Sequence, residues 1–307
     1  VMAGQVILPG ASPMAIHHGR DFSLFVDGAA LLLWSGVGVE NACRILTIVM
    51  VALAFCAVSL LGYAFTRNTF AAGILPVALI GYEVGSRAHR YPVGLPWSAS
   101  DLGTDGMTAT VAALSLLALR MPWGLAVLGV LPALHAAWAL GAWTIVATGA
   151  LFDRSLRTWL RRQWLWLAAG AGVAGGAWLL HQGFTPQFPI GPDADLDLVR
   201  GARRYWDSHR QPVNVDMREF LSLFVADALF FVLAFGALRL SYAQRRRVRF
   251  WLAGALVLAV PALINSLIDQ RWPGAMPLMF SPLMMSRWLN LNTLTLPALL
   301  AGLALYP

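Results

Sequence analysis

The residues of this chain best suited to chemistry lie in one early stretch. Between Met14 and Ser35 the sequence reads MAIHHGRDFSLFVDGAALLLWS, so His17, His18, Arg20 and Asp21 stand directly before an apolar run and a second acid, Asp27, falls within it. A carboxylate at a membrane–water boundary can deprotonate an acceptor hydroxyl or coordinate a divalent metal, and Asp21 is the acid best placed for either role. The competing reading of Asp21 is a cap on the helix beginning at Phe22. Asp27 reads as a solvated face residue. Adjacent histidines on a helix point about 100° apart, so His17 and His18 would need metal ligands from other loops, and the metal, if any, stays unassigned.

Further candidates follow downstream. Arg87, His89 and Arg90 precede the loop YPVGLPWSASDLGTDG, which holds Asp101 and Asp105; Arg204, His209 and Arg210 lie in the longest polar stretch; Arg271 and Arg287 flank a later loop. Guanidinium forks bind phosphate in a bidentate manner, so arginines gathered on one face would suit a phosphate-bearing substrate, with pairing to Asp207 and Asp216 as the alternative. His135 sits at a break in an apolar stretch, LPALHAAW. An ionisable group there either faces water or a partner, or bonds a backbone carbonyl freed by Pro132. Trp97, Trp206 and Trp272 could stack on a sugar ring or serve as interface anchors.

The elements that position these residues are membrane helices. With 58% hydrophobic and 12% charged residues among 307, the chain is too apolar for a water-soluble domain. The expected fold is all-α, a polytopic transmembrane bundle of about 8–9 spans forming a single domain over residues 1–307, with interfacial helices and one broken helical hairpin. Interfacial helices are expected at 14–35, where Phe25, Val26, Ala29, Ala30, Leu33 and Trp34 share a helical stripe, and at 193–210, both on the non-cytoplasmic face. The hairpin is 122–151, two short helices meeting near Pro132 and His135, which keeps Arg120 and the cluster Arg154, Arg157, Arg161 and Arg162 on the same side. Spans are also expected at 43–65, 69–84, 107–119, 163–180, 219–240, 250–268 and 287–306.

The formal charge of +7 comes from arginines in short loops between apolar runs, so the positive-inside rule accounts for it and nucleic acid is not an expected partner. One face then carries arginine-only loops; the other mixes His, Asp, Arg, Trp and Pro. Cys43 and Cys56 lie in one apolar run, where they read as small hydrophobes rather than a disulfide or zinc framework. The opening VMAGQVILPG reads as the end of an apolar span, so the chain is expected to lack upstream residues.

The motif HHGRD at 17–21 followed by the run 22–35, the hairpin around LPALHAAW at 131–138, and the charged segment 193–210 with YWDSHRQP resemble the GT-C superfamily of integral-membrane glycosyltransferases. GRD stands where that family carries an Asp-Asp or Asp-Glu pair. The resemblance implies transfer of a sugar from a polyprenyl-phosphate donor at the outer face of a bacterial inner membrane. It also implies Asp21 as base or metal ligand, with Arg20, His18, Arg87, His89, Arg90, His135, Arg204, His209 and Arg210 around the substrate. The expected partners are membrane lipids and the polyprenyl-phosphate donor; a divalent metal is the one cofactor left open. The alternative functions are a non-catalytic scaffold or accessory subunit bound to other membrane proteins, and, less favoured, a transporter, for which Asp227 is the main deep charge and no repeat is apparent.

Overall fold

The computed structural model describes residues 22–86, 102–184 and 242–272, together with 225, 229, 232, 275, 285–288, 291 and 295. Among them every regular element is helical: α1 (Leu24–Trp34), α2 (Val39–Thr66), α3 (Thr69–Ser86), α4 (Leu102–Ala118), α5 (Trp123–Leu134), α6 (Ala136–Phe152), α7 (Arg154–Arg162), α8 (Trp164–Phe184), α9 (Tyr242–Arg271) and a 3-10 turn, Met285–Trp288.

Helix ends are set by short local signals. Ser23 caps α1 by accepting a hydrogen bond from the Phe25 N–H at 3.3 Å. Gly36, at φ 90°, closes the same helix: its N–H reaches the Leu33 carbonyl and the Val37 N–H the Leu32 carbonyl, the paired bonds of a Schellman stop. The end of α4 has the same pair, Arg120 N–H to Leu117 and Met121 N–H to Leu116, but here the left-handed residue, at φ 61°, is an arginine. Asp153, extended at φ −111° and ψ 99°, ends α6 and caps α7.

The stretch 122–151 is a hairpin. Pro132 removes an N–H from the last turn of α5, and His135 is extended at φ −161° and ψ 106° before α6 begins. The Trp143 indole N–H donates to the Leu128 carbonyl at 3.0 Å across the two legs, and the open ends meet in an Arg120–Asp153 ion pair at 3.1 Å. The hairpin therefore starts and finishes on the Arg120 side. On that side, too, Phe65 at the end of α2 lies against Trp251 near the start of α9, with ring centroids 6.1 Å apart.

The core runs between α2, α4, α5, α6 and α9. In α6, Ala137, Trp138, Gly141, Ala142, Ile145 and Val146 are buried, a helical stripe against α9 and the 3-10 turn, where Trp288 donates to the Ala137 carbonyl at 3.0 Å. The α5–α8 pair is held by close backbone approach. A Cβ at Gly129 would run into the Leu167 carbonyl and one at Gly170 into the Ala126 carbonyl. Small residues permit this contact, which in lipid supplies van der Waals attraction where the hydrophobic effect cannot.

Among the described residues two segments, Val39–Thr66 and Val248–Asn265, are long and apolar enough to cross a membrane; a third arises only if α6 and α7, bent by 117° at Asp153, are one span. The described residues thus do not establish the expected about 8–9 spans; within them, breaks at His135 and Asp153 leave short legs such as the 12 residues of α5, against the roughly 20 a bilayer requires. The expected spans 219–240 and 287–306 and the interfacial helix 193–210 lie largely or wholly outside the described residues. The loop expected to continue through Gly106 is instead helical from Leu102, which carries Asp105 into the first turn of α4.

Candidate functional site

Four helix ends converge beside His135. The Ser23 hydroxyl, at the start of α1, donates to the Leu134 carbonyl at the end of α5, at 3.0 Å. One turn on, Asp27 Oδ1 lies 3.0 Å from Nδ1 of His181, near the end of α8, and the Phe22 ring packs on the same imidazole with centroids 5.3 Å apart. The start of α4 completes the group: the Trp138 indole donates to the Gly103 carbonyl at 2.9 Å, and Gly106 lies so close to His135 that a Cβ there would overlap the His135 side chain. Beside Gly106, Thr104, Asp105, Thr108 and Thr110 are all buried.

The Asp27–His181 pair is asymmetric. The His181 side chain is 1% exposed and that of Asp27 is 25% exposed, so the carboxylate is the accessible member and the imidazole is its fixed support. Asp27 is thus not the solvated face residue expected from its local sequence. His135 acts as the cap of α6, its Nδ1 accepting from the Trp138 N–H at 3.4 Å. That is a backbone role, with an N–H as the partner where the sequence suggests a carbonyl freed by Pro132. Trp272 is 65% exposed, with its ring clear of the core.

The remaining sequence candidates, Asp21, Arg20, His18, Arg87, His89, Arg90, Arg204, His209 and Arg210, lie outside the described residues. Among the described residues no three His, Cys, Asp or Glu side chains gather as a metal-ligand set.

A second polar centre lies at the opposite ends of these helices, and of its members the sequence singles out only Arg120, as a topology marker. Asp153 Oδ2 bridges two guanidiniums, Nη2 of Arg120 and Nε of Arg246, each at 3.1 Å. Its Oδ1 accepts from the Ser155 N–H and hydroxyl, both at 2.8 Å, and from the Leu156 N–H at 3.2 Å. Burial alone would raise the Asp153 pKa, but the hydrogen bonds from Ser155 and Leu156 and the Arg246 charge prevail and hold it below the usual carboxylate range. Burial, and then the nearby Arg246 charge, pull Arg120 down to about 10, with Asp153 opposing them. The Arg120 guanidinium also lies over the Trp159 ring, 5.5 Å from its centroid. The missed signal was long-range: Arg120, Asp153 and Arg246 are far apart in sequence, and only the hairpin closes the distance.

Comparison of the chain with protein-family profiles, with curated proteins and with solved structures returns no match.

Proposed function

We infer that the chain is an integral protein of a bacterial inner membrane whose His135–His181 end acts on a lipid-borne substrate, with GT-C-like transfer of a sugar from a polyprenyl-phosphate carrier as the reaction. The observation that supports this reading is the Asp27–His181 pair at 3.0 Å, set at the ends of apolar helices. Ionisable groups in such surroundings are expensive and are retained mainly where they work. A carboxylate backed by a buried imidazole is oriented, and its exposed side can take a proton from an acceptor hydroxyl. Asp21, six residues upstream in sequence, is the base that the GT-C resemblance implies.

Asp27→Asn keeps the side-chain shape and removes the base. In cells whose only copy is the variant, the glycan product is expected to fall by about 10²- to 10⁴-fold, the usual contribution of a general base, while the purified variant keeps its helical content. Unchanged product from both Asp27→Asn and Asp21→Asn rules out this chemistry at this end. The competing reading, a non-catalytic accessory subunit, draws on the apolar faces that α1 and α8 leave uncovered, with Trp34 78%, Leu165 62% and Leu180 64% exposed. Purification as a monodisperse single protein would count against it.

A further inference from the structure

We propose that the arginine-lined cavity at the Asp153 end is a phosphate-binding site, filled by the headgroup of an anionic lipid or by free phosphate. The cavity has a volume of about 680 Å³ and is lined by Arg120, Arg154, Arg245, Arg246 and Arg249, with Asp153 as the one acidic side chain among its described lining residues. Both oxygens of that carboxylate are already engaged, Oδ1 by three donors and Oδ2 by the guanidiniums of Arg120 and Arg246, so it does not neutralise Arg154 or Arg249.

Two features separate this cavity from an ordinary positive-inside surface. First, the arginines come from the α4–α5 turn, the start of α7 and the first turns of α9, so three separate chain segments converge on one space. Topology alone asks only that arginines lie on the same side, not that they face one another across a cavity. Second, Nη1 of Arg120 is buried and makes no hydrogen bond, leaving a guanidinium donor with its desolvation cost uncompensated.

The depth of the cavity fits a phosphate. Arg245, Arg246 and Arg249 stand at the beginning of Val248–Asn265, a segment able to cross a bilayer, which is the level of lipid headgroups. Basic pockets between helices at that level are suited to lipid phosphate, and guanidinium forks match its oxygens better than a point charge would. An oxyanion would also relieve the mutual repulsion that helps pull Arg120 down to about 10. The site lies at the opposite end of the bundle from the Asp27–His181 pair and does not depend on the glycosyl-transfer reading.

The test is titration calorimetry on the full chain in neutral detergent, with three probes: inorganic phosphate, short-chain phosphatidic acid, and short-chain phosphatidylcholine, whose phosphate is masked by its own cation. Saturable binding of the first or second is expected, weakened about tenfold by Arg120→Gln or by Arg249→Gln and unchanged within about twofold by Arg161→Gln, which removes the same charge from α7 outside the cavity. Arg249 is exposed, so its substitution keeps the test valid if Arg120→Gln disturbs folding. Binding of phosphatidic acid alone identifies a lipid headgroup; equal binding of inorganic phosphate identifies a soluble ligand. Equal weakening by Arg249→Gln and Arg161→Gln, or no saturable binding of either anion, overturns the site.

Discussion

Asp153 does two jobs with one carboxylate, and two substitutions separate them. Asparagine still caps α7 but cannot neutralise Arg120 and Arg246, so Asp153→Asn leaves two guanidiniums facing one another; a loss of about 1–3 kcal/mol is expected, read as a lower unfolding midpoint in detergent. Asp153→Ala also removes the cap on the Ser155 and Leu156 N–H groups and is expected to cost about 1 kcal/mol more. The pH dependence has a definite sign. Because the folded-state pKa of Asp153 is depressed, its contribution is fully present above the ordinary value of 3.8 and is lost as pH falls below it. The wild-type unfolding midpoint should therefore fall in that acid range, and the Asp153→Asn midpoint should fall less. For Arg120, depressed to about 10 in the folded state, the unfolded chain binds more protons once pH exceeds that value, so its unfavourable contribution at neutral pH is relieved as pH rises through it.

At the scale of elements, the α5–α8 contact decides how the hairpin is anchored. Gly170→Ala would drive a methyl into the Ala126 carbonyl, backbone that cannot yield without moving α5, and is expected to cost about 1–3 kcal/mol. Gly176→Ala, on the same helix with nothing within 4 Å, is the control and should be neutral or slightly stabilising. Equal midpoints for the two variants would show that the helices do not touch there. Much of this level was legible in the sequence: Pro132 and His135 mark the break, and the arginines on both sides require the legs to return. The extent of α4 was not, because LGTDG carries turn-forming glycines, and only burial of Thr104, Asp105 and Thr108 against neighbouring helices makes a helix of it.

At the scale of the molecule, the two polar centres sit at opposite ends of the same helices. Thr158, on α7, and Gly183, at the end of α8, are both exposed and mark those ends. With Cys43 and Cys56 replaced by alanine, an impermeant thiol reagent added to sealed cells should label Gly183→Cys and spare Thr158→Cys; labelling of both from one side would place the two centres on the same face of the membrane. Composition and helical periodicity suffice to establish that the chain is helical and apolar enough for lipid, and charge in the loops predicts which ends belong together, since these properties depend on residue type and near neighbours. Partnership between distant side chains does not follow from them. Asp27 meets His181 across 154 positions because α1 docks on the ends of α5 and α8, and Asp153 gathers Arg120 and Arg246 because the hairpin folds back beside α9. Those pairings are decided by packing in three dimensions, where a carboxylate that looks solvated in sequence gains a buried imidazole, and arginines that look like topology markers enclose a cavity.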